Sequence, residues 1–139
     1  LDKIKGGLYG VAVGDALGAT LEFMDQQQIK QKYVQLRDIV GGGWLNLAPG
    51  EWTDDTEMTL AVAEGVLMDP YAPISHVGER FLEWLNTNPS DVGNTISAAH
   101  LEYLNLKDWH MAALRIHDKG MQTAGNGALM RNTPCCFYV

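Results

Sequence analysis

The sequence predicts an all-α fold, a compact multi-helix bundle, on three observations. Apolar residues recur at helical spacing in five separate stretches. No two alternating segments joined by a hairpin turn occur anywhere in the 139 residues. The intervals between the helical stretches are short, which favours antiparallel packing of neighbours.

The first stretch places Ile4, Leu8, Val11 and Ala12 on one face. Gly7, Gly10, Gly14 and Gly18 run beside it, three or four residues apart. Each interior glycine weakens a helix by roughly 1 kcal/mol relative to alanine, so the stripe predicts close approach of a second helix. Residues 25–52 are polar and then Gly/Pro-rich and read as loop, with residues 34–40 ambiguous between helix and strand. A second helix is expected over residues 55–68, where Met58, Ala61, Val62 and Val66 share a side and Asp69-Pro70 stops it. A third is expected over residues 75–87, with Val77, Phe81, Trp84 and Leu85 as its stripe. Asp91 is positioned to cap a fourth, carrying Val92, Ile96, Ala99 and Tyr103. Asp108 is positioned to cap a fifth, carrying Trp109, Ala112, Ala113 and Ile116. From Gly120 onward the chain reads as a Gly- and Asn-rich loop.

Composition narrows the function. With 46% apolar residues the chain can bury a core. Its 10 Lys+Arg against 17 Asp+Glu give a net charge of −7, without the basic cluster a nucleic-acid surface requires. Cys135 and Cys136 are adjacent, so they offer no disulfide framework and point to a reducing, cytoplasmic compartment. The longest apolar stretch, residues 6–20, is interrupted by Asp15 and falls short of the roughly 20 residues of a membrane span.

Three clusters could carry chemistry. Trp52-Thr53-Asp54-Asp55-Thr56-Glu57 follows a Gly/Pro loop and opens a helix. Its hydroxyls and carboxylates are hard oxygen donors suited to Mg²⁺, Mn²⁺ or Ca²⁺. Alternatively, Asp54 and Glu57 form a capping box that only starts the helix. Asp15 lies in an apolar, glycine-rich helix and must meet a partner there, either a neighbouring helix N-terminus or a reacting group. Glu22, seven residues on, is a candidate general base at the loop mouth or a solvated surface residue. Gly125-Asn126-Gly127 exposes backbone N–H groups that could cradle phosphate, or forms a plain turn. The histidines show no convincing metal-ligand spacing.

The four segments Gly14-Asp15-Ala16-Leu17-Gly18 with Glu22-Phe23, Trp52-Thr53-Asp54-Asp55-Thr56, Asp91-Val92-Gly93-Asn94-Thr95, and Gly125-Asn126-Gly127 with Met130-Arg131 occur in that order. In order and spacing they resemble the ADP-ribosylglycohydrolase family, which includes the dinitrogenase-reductase-activating glycohydrolases. The resemblance implies an all-α fold, with residues 1–139 as the N-terminal part of a single domain. It implies a metal-dependent hydrolase that cleaves the glycosidic bond between ADP-ribose and a modified amino acid or related acceptor. Thr53, Asp54 and Asp55 become ligands of a two-metal Mg²⁺ or Mn²⁺ centre, and Glu22, Asp54 and Asp55 the catalytic set. Asp91, Gly125, Asn126 and Gly127 become substrate-binding residues. The implied partner is an ADP-ribosylated protein or a small ADP-ribose conjugate.

The family's late Asp-rich motif, which supplies the remaining metal ligands, has no counterpart in this sequence. The alternative is therefore a truncated, non-catalytic ADP-ribose-binding module, or half of a split enzyme. On the same ground the apolar faces around Phe81, Trp84, Leu85, Val92, Ile96 and Trp109 are expected to lie open, favouring a homodimer.

Overall fold

A computed structural model describes residues 1–137, so the last two residues of the expected 1–139 domain lie outside it. The described residues are all-α: α1 (Asp2–Gly18), α2 (Gln26–Lys32), α3 (Asp54–Met68), α4 (Ile74–Asn86), α5 (Asn94–Leu106), α6 (Trp109–Asp118) and the short α7 (Gly127–Met130). A 3₁₀ helix, Thr133–Phe137, follows. The sole β-type pairing among the described residues is an isolated bridge between Gly42 and Leu47.

α3 is the centre of the molecule. Thr56, Met58, Thr59, Ala61, Val62 and Gly65 are all buried on it. It packs against α1, α4, α7 and the 3₁₀ helix. Glycine is required where α4 crosses, because a Cβ at Gly65 would lie 2.5 Å from the Val77 backbone nitrogen. α5 and α6 form a second pair, in which Tyr103 stacks on Trp109 with ring centroids 3.8 Å apart. The Trp109 indole fills the space beside Gly78, fastening that pair to α4.

Several local expectations change. α2 falls in the stretch read as loop. It buries nothing, so no apolar stripe announces it, and it is held by a capping box between Asp25 and Gln28. Residues 34–40 are neither helix nor strand. Asp108 caps α6 as expected, accepting from the Met111 N–H at 2.9 Å. Asp91 caps nothing: α5 starts three residues later, behind Gly93, without a side-chain cap. The Gly120 tail contains α7 and the 3₁₀ helix, whose Pro134 is buried.

The glycine stripe of α1 is the larger correction. Among the described residues only Gly7 is closely approached, and by the Phe137 ring at the end of the 3₁₀ helix rather than by a helix backbone. Nothing among the described residues lies within 4 Å of a Cβ built at Gly10, Gly14 or Gly18. The apolar faces expected to be open are partly covered. Trp84 is buried, and Phe81, Leu85, Val92, Ile96 and Trp109 are half-buried. Four of these, Phe81, Leu85, Ile96 and Trp109, line an apolar cavity of about 370 Å³.

Candidate functional site

The site is built on the first turn of α3, and Asp15 of α1 holds that turn. Asp15 Oδ2 accepts from the Thr53 N–H (2.9 Å), the Thr56 N–H (3.1 Å) and the Thr56 hydroxyl (2.6 Å). Its Oδ1 accepts from the Thr53 hydroxyl at 2.8 Å. A carboxylate satisfies free N–H groups at the positive end of a helix, and here it does so from another helix. This resolves the open reading of Asp15 in favour of the helix N-terminus. It also replaces the capping box, since Thr53 is the N-cap residue and makes no side-chain cap of its own. Glu57 instead accepts from the Trp52 indole N–H at 2.7 Å.

With the turn fixed from outside, Asp54 and Asp55 face two adjoining clefts. Asp55 lines one of about 350 Å³ together with Gly14, Gly18, Glu22, Thr53 and Asn126. Asp54 lines the other, about 570 Å³, together with Gly93, Asn94, Thr95, Arg131 and the Gly125-Asn126-Gly127 loop. Asn126 borders both. The fold thus gathers Glu22, Thr53, Asp54, Asp55 and the glycine loop around one helix start.

The electrostatics are those of crowded acids. Burial raises the Asp54 carboxyl from the ordinary 3.8 to about 6, with Asp91, Asp55 and Asp15 adding repulsion. Burial also raises Asp55, followed by the charges of Asp15 and Glu22. Asp91 lines neither cleft, and what it adds is repulsion on Asp54. Arg131 is the nearby cation: burial lowers its pKa, opposed by Asp54. Its guanidinium lies 4.8 Å from the Phe81 ring centroid and donates to Met58 Sδ at 3.4 Å.

Glu22 lies beyond the end of α1, in the turn after Gly18, so helix periodicity does not place it. Its Oε2 accepts from the Trp44 indole N–H at 2.7 Å. Trp44, 22 residues away, carries no motif signal, and only the three preceding glycines mark its loop as unusual. None of the histidines borders the Asp54 or Asp55 cleft.

Thr53, Asp54 and Asp55 are oxygen donors of the kind a hard divalent cation takes, and the raised carboxyls are those a cation would relieve. Among the described residues, however, no three Asp, Glu, His or Cys side chains close into a metal-holding group. The residues fit part of a coordination sphere.

An all-helical fold with an acidic cleft at a helix start, faced by a glycine loop, defines a class that comparison with known proteins names. The ADP-ribosylglycohydrolase family profile matches residues 1–138, and the chain belongs to that family. It is 41% identical over 136 residues to the ADP-ribosyl-[dinitrogen reductase] glycohydrolase of Rhodospirillum rubrum, covering 98% of this chain and 44% of that one. It is 37% identical to the ADP-ribosylarginine hydrolase Tri1 of Serratia proteamaculans, covering 99% of this chain and 37% of that one. A solved ADP-ribosylglycohydrolase-related protein complex superposes with a TM-score of 0.74 at 34% identity, over 96% of this chain and 41% of that chain. The chain thus spans less than half the length of these relatives. No described helix is long and apolar enough to cross a membrane.

Proposed function

We propose that this chain supplies the acidic side of an active site that hydrolyses the bond between ADP-ribose and arginine or a related acceptor. The observation that carries the reading is the pair of clefts meeting at Asn126, with Glu22 and Asp55 on one side and Asp54 and the glycine loop on the other. Family membership and relatives named for ADP-ribosylarginine and ADP-ribosylated dinitrogen reductase give the substrate class.

In this reading the Gly125-Asn126-Gly127 loop and the start of α5 receive the diphosphate and ribose, because backbone N–H groups favour anions. Glu22 accepts a proton from the attacking water. The water oxygen bonds to the anomeric carbon, and the electron pair of the broken bond leaves with the acceptor, which takes up a proton. Thr53, Asp54 and Asp55 would hold Mg²⁺ or Mn²⁺, which when bound orients ribose hydroxyls and offsets developing charge. The exposed free thiols of Cys135 and Cys136 suit a cytoplasmic setting.

Incubating the chain with ADP-ribosylarginine and Mn²⁺ should release free ADP-ribose, and Asp55→Ala or EDTA should abolish the release. Release that persists in EDTA would remove the metal from the reading. The partial ligand set favours a second reading, an ADP-ribose-binding module without turnover. Calorimetric binding of ADP-ribose with no product would select it.

A further inference from the structure

We infer that Trp44 is a positioning residue: its indole N–H fixes Glu22 at the mouth of the Asp55 cleft. The inference rests on the proposed role of Glu22. Four features of the loop converge on that single hydrogen bond.

Glu22 sits in an exposed turn after α1, and Oε1 has no hydrogen-bond partner among the described residues. Unrestrained, such a side chain samples many rotamers. The indole can only donate, so it pins Oε2 at 2.7 Å and leaves Oε1 free beside the cleft. The backbone ahead of Trp44 is shaped to deliver it. Gly41, Gly42 and Gly43 all have positive φ, at 67°, 83° and 70°. A Cβ on Gly43 would lie 2.4 Å from the Ala19 carbonyl oxygen, so the loop presses directly on the end of α1.

The buried Thr20 hydroxyl ties the same loop down by donating to the Gly41 carbonyl at 3.0 Å. The Gly42–Leu47 bridge, with hydrogen bonds of 2.7 and 2.9 Å, closes the turn that presents Trp44. Phe23 then meets the indole edge-on, with centroids 5.5 Å apart, and itself adopts φ 60° to do so. A left-handed phenylalanine is uncommon, and its neighbour in the chain is Glu22. The loop and the turn are thus clamped to each other on both sides of the carboxylate.

Trp44→Phe keeps the ring and removes only the N–H. The Trp44 indole resonance, assigned by its absence in this variant, should shift and exchange faster with solvent in Glu22→Ala. With ADP-ribosylarginine as substrate, Trp44→Phe should lower kcat roughly tenfold while KM stays within about twofold, as expected for a mispositioned base. In a Glu22→Ala background the same change should cost nothing further in turnover or in ADP-ribose affinity. An indole resonance indifferent to Glu22→Ala would overturn the inference, as would a Trp44→Phe loss of equal size in both backgrounds. If the parent chain shows no turnover, the hydrolase reading fails, and the resonance still decides whether Trp44 holds Glu22.

Discussion

α1 and α3 are similar in length, at 17 and 15 residues, and both carry apolar residues and glycine, yet they differ sharply in burial. α3 has neighbours on several sides and buries six residues along its length. α1 buries only Ala16, near its C-terminal end, and four of its five glycines face open space among the described residues. The same residue type therefore has opposite meanings. At Gly65 it admits the backbone of α4, whereas at Gly10 it meets none of the described residues. What α1 contributes is Asp15, delivered to the start of α3.

The largest effect should come from cutting that connection. Asp15→Ala removes the acceptor of four hydrogen bonds at the α3 N-terminus and is expected to lower stability by about 3 kcal/mol, read by urea unfolding. A loss below about 1 kcal/mol would mean that α3 starts equally well without α1.

Next in size is one glycine substitution made in both helices. Gly65→Ala should destabilise by about 2 kcal/mol, because the new methyl group meets the Val77 backbone. Gly10→Ala should instead stabilise by about 0.5–1 kcal/mol, because its surroundings are open and alanine restricts the unfolded chain. A destabilised Gly10→Ala would show that another surface packs on α1 in solution.

The smallest effect concerns protons. Asp54 is raised from 3.8 to about 6 in the folded state, so between these values the folded chain holds a proton that the unfolded chain has released. Stability should accordingly fall as pH rises from about 4 to about 6. Asp54→Asn should flatten that slope and unfold at higher denaturant than the parent at pH 7.5, with little difference at pH 4. A parent curve that rises across this interval would contradict the crowding of acids at the site.

Periodicity located α3 and α4 within one residue of their expected limits, and α6 starts directly after its expected cap, Asp108. α2 escaped because its stability is local, in the Asp25–Gln28 capping box, while its surface is exposed. At the site, the Thr-Asp-Asp run and the glycine loop were legible because their chemistry is written in adjacent residues. Trp44 was not, since its relation to Glu22 depends on a loop closing across 22 positions. The α1 glycines misled for a related reason: spacing reports a face but not what covers it.

The Asp15 clasp also ties the chemistry to the order of assembly. A helix capped by its own sequence can form its first turn before the rest of the chain has folded. α3 has no such cap, so its opening turn is completed only when α1 arrives. A partly assembled chain lacking that contact leaves Thr53, Asp54 and Asp55 unanchored. The acidic cleft beside Asp54 and Asp55 thus depends on a contact between segments 38 to 41 positions apart.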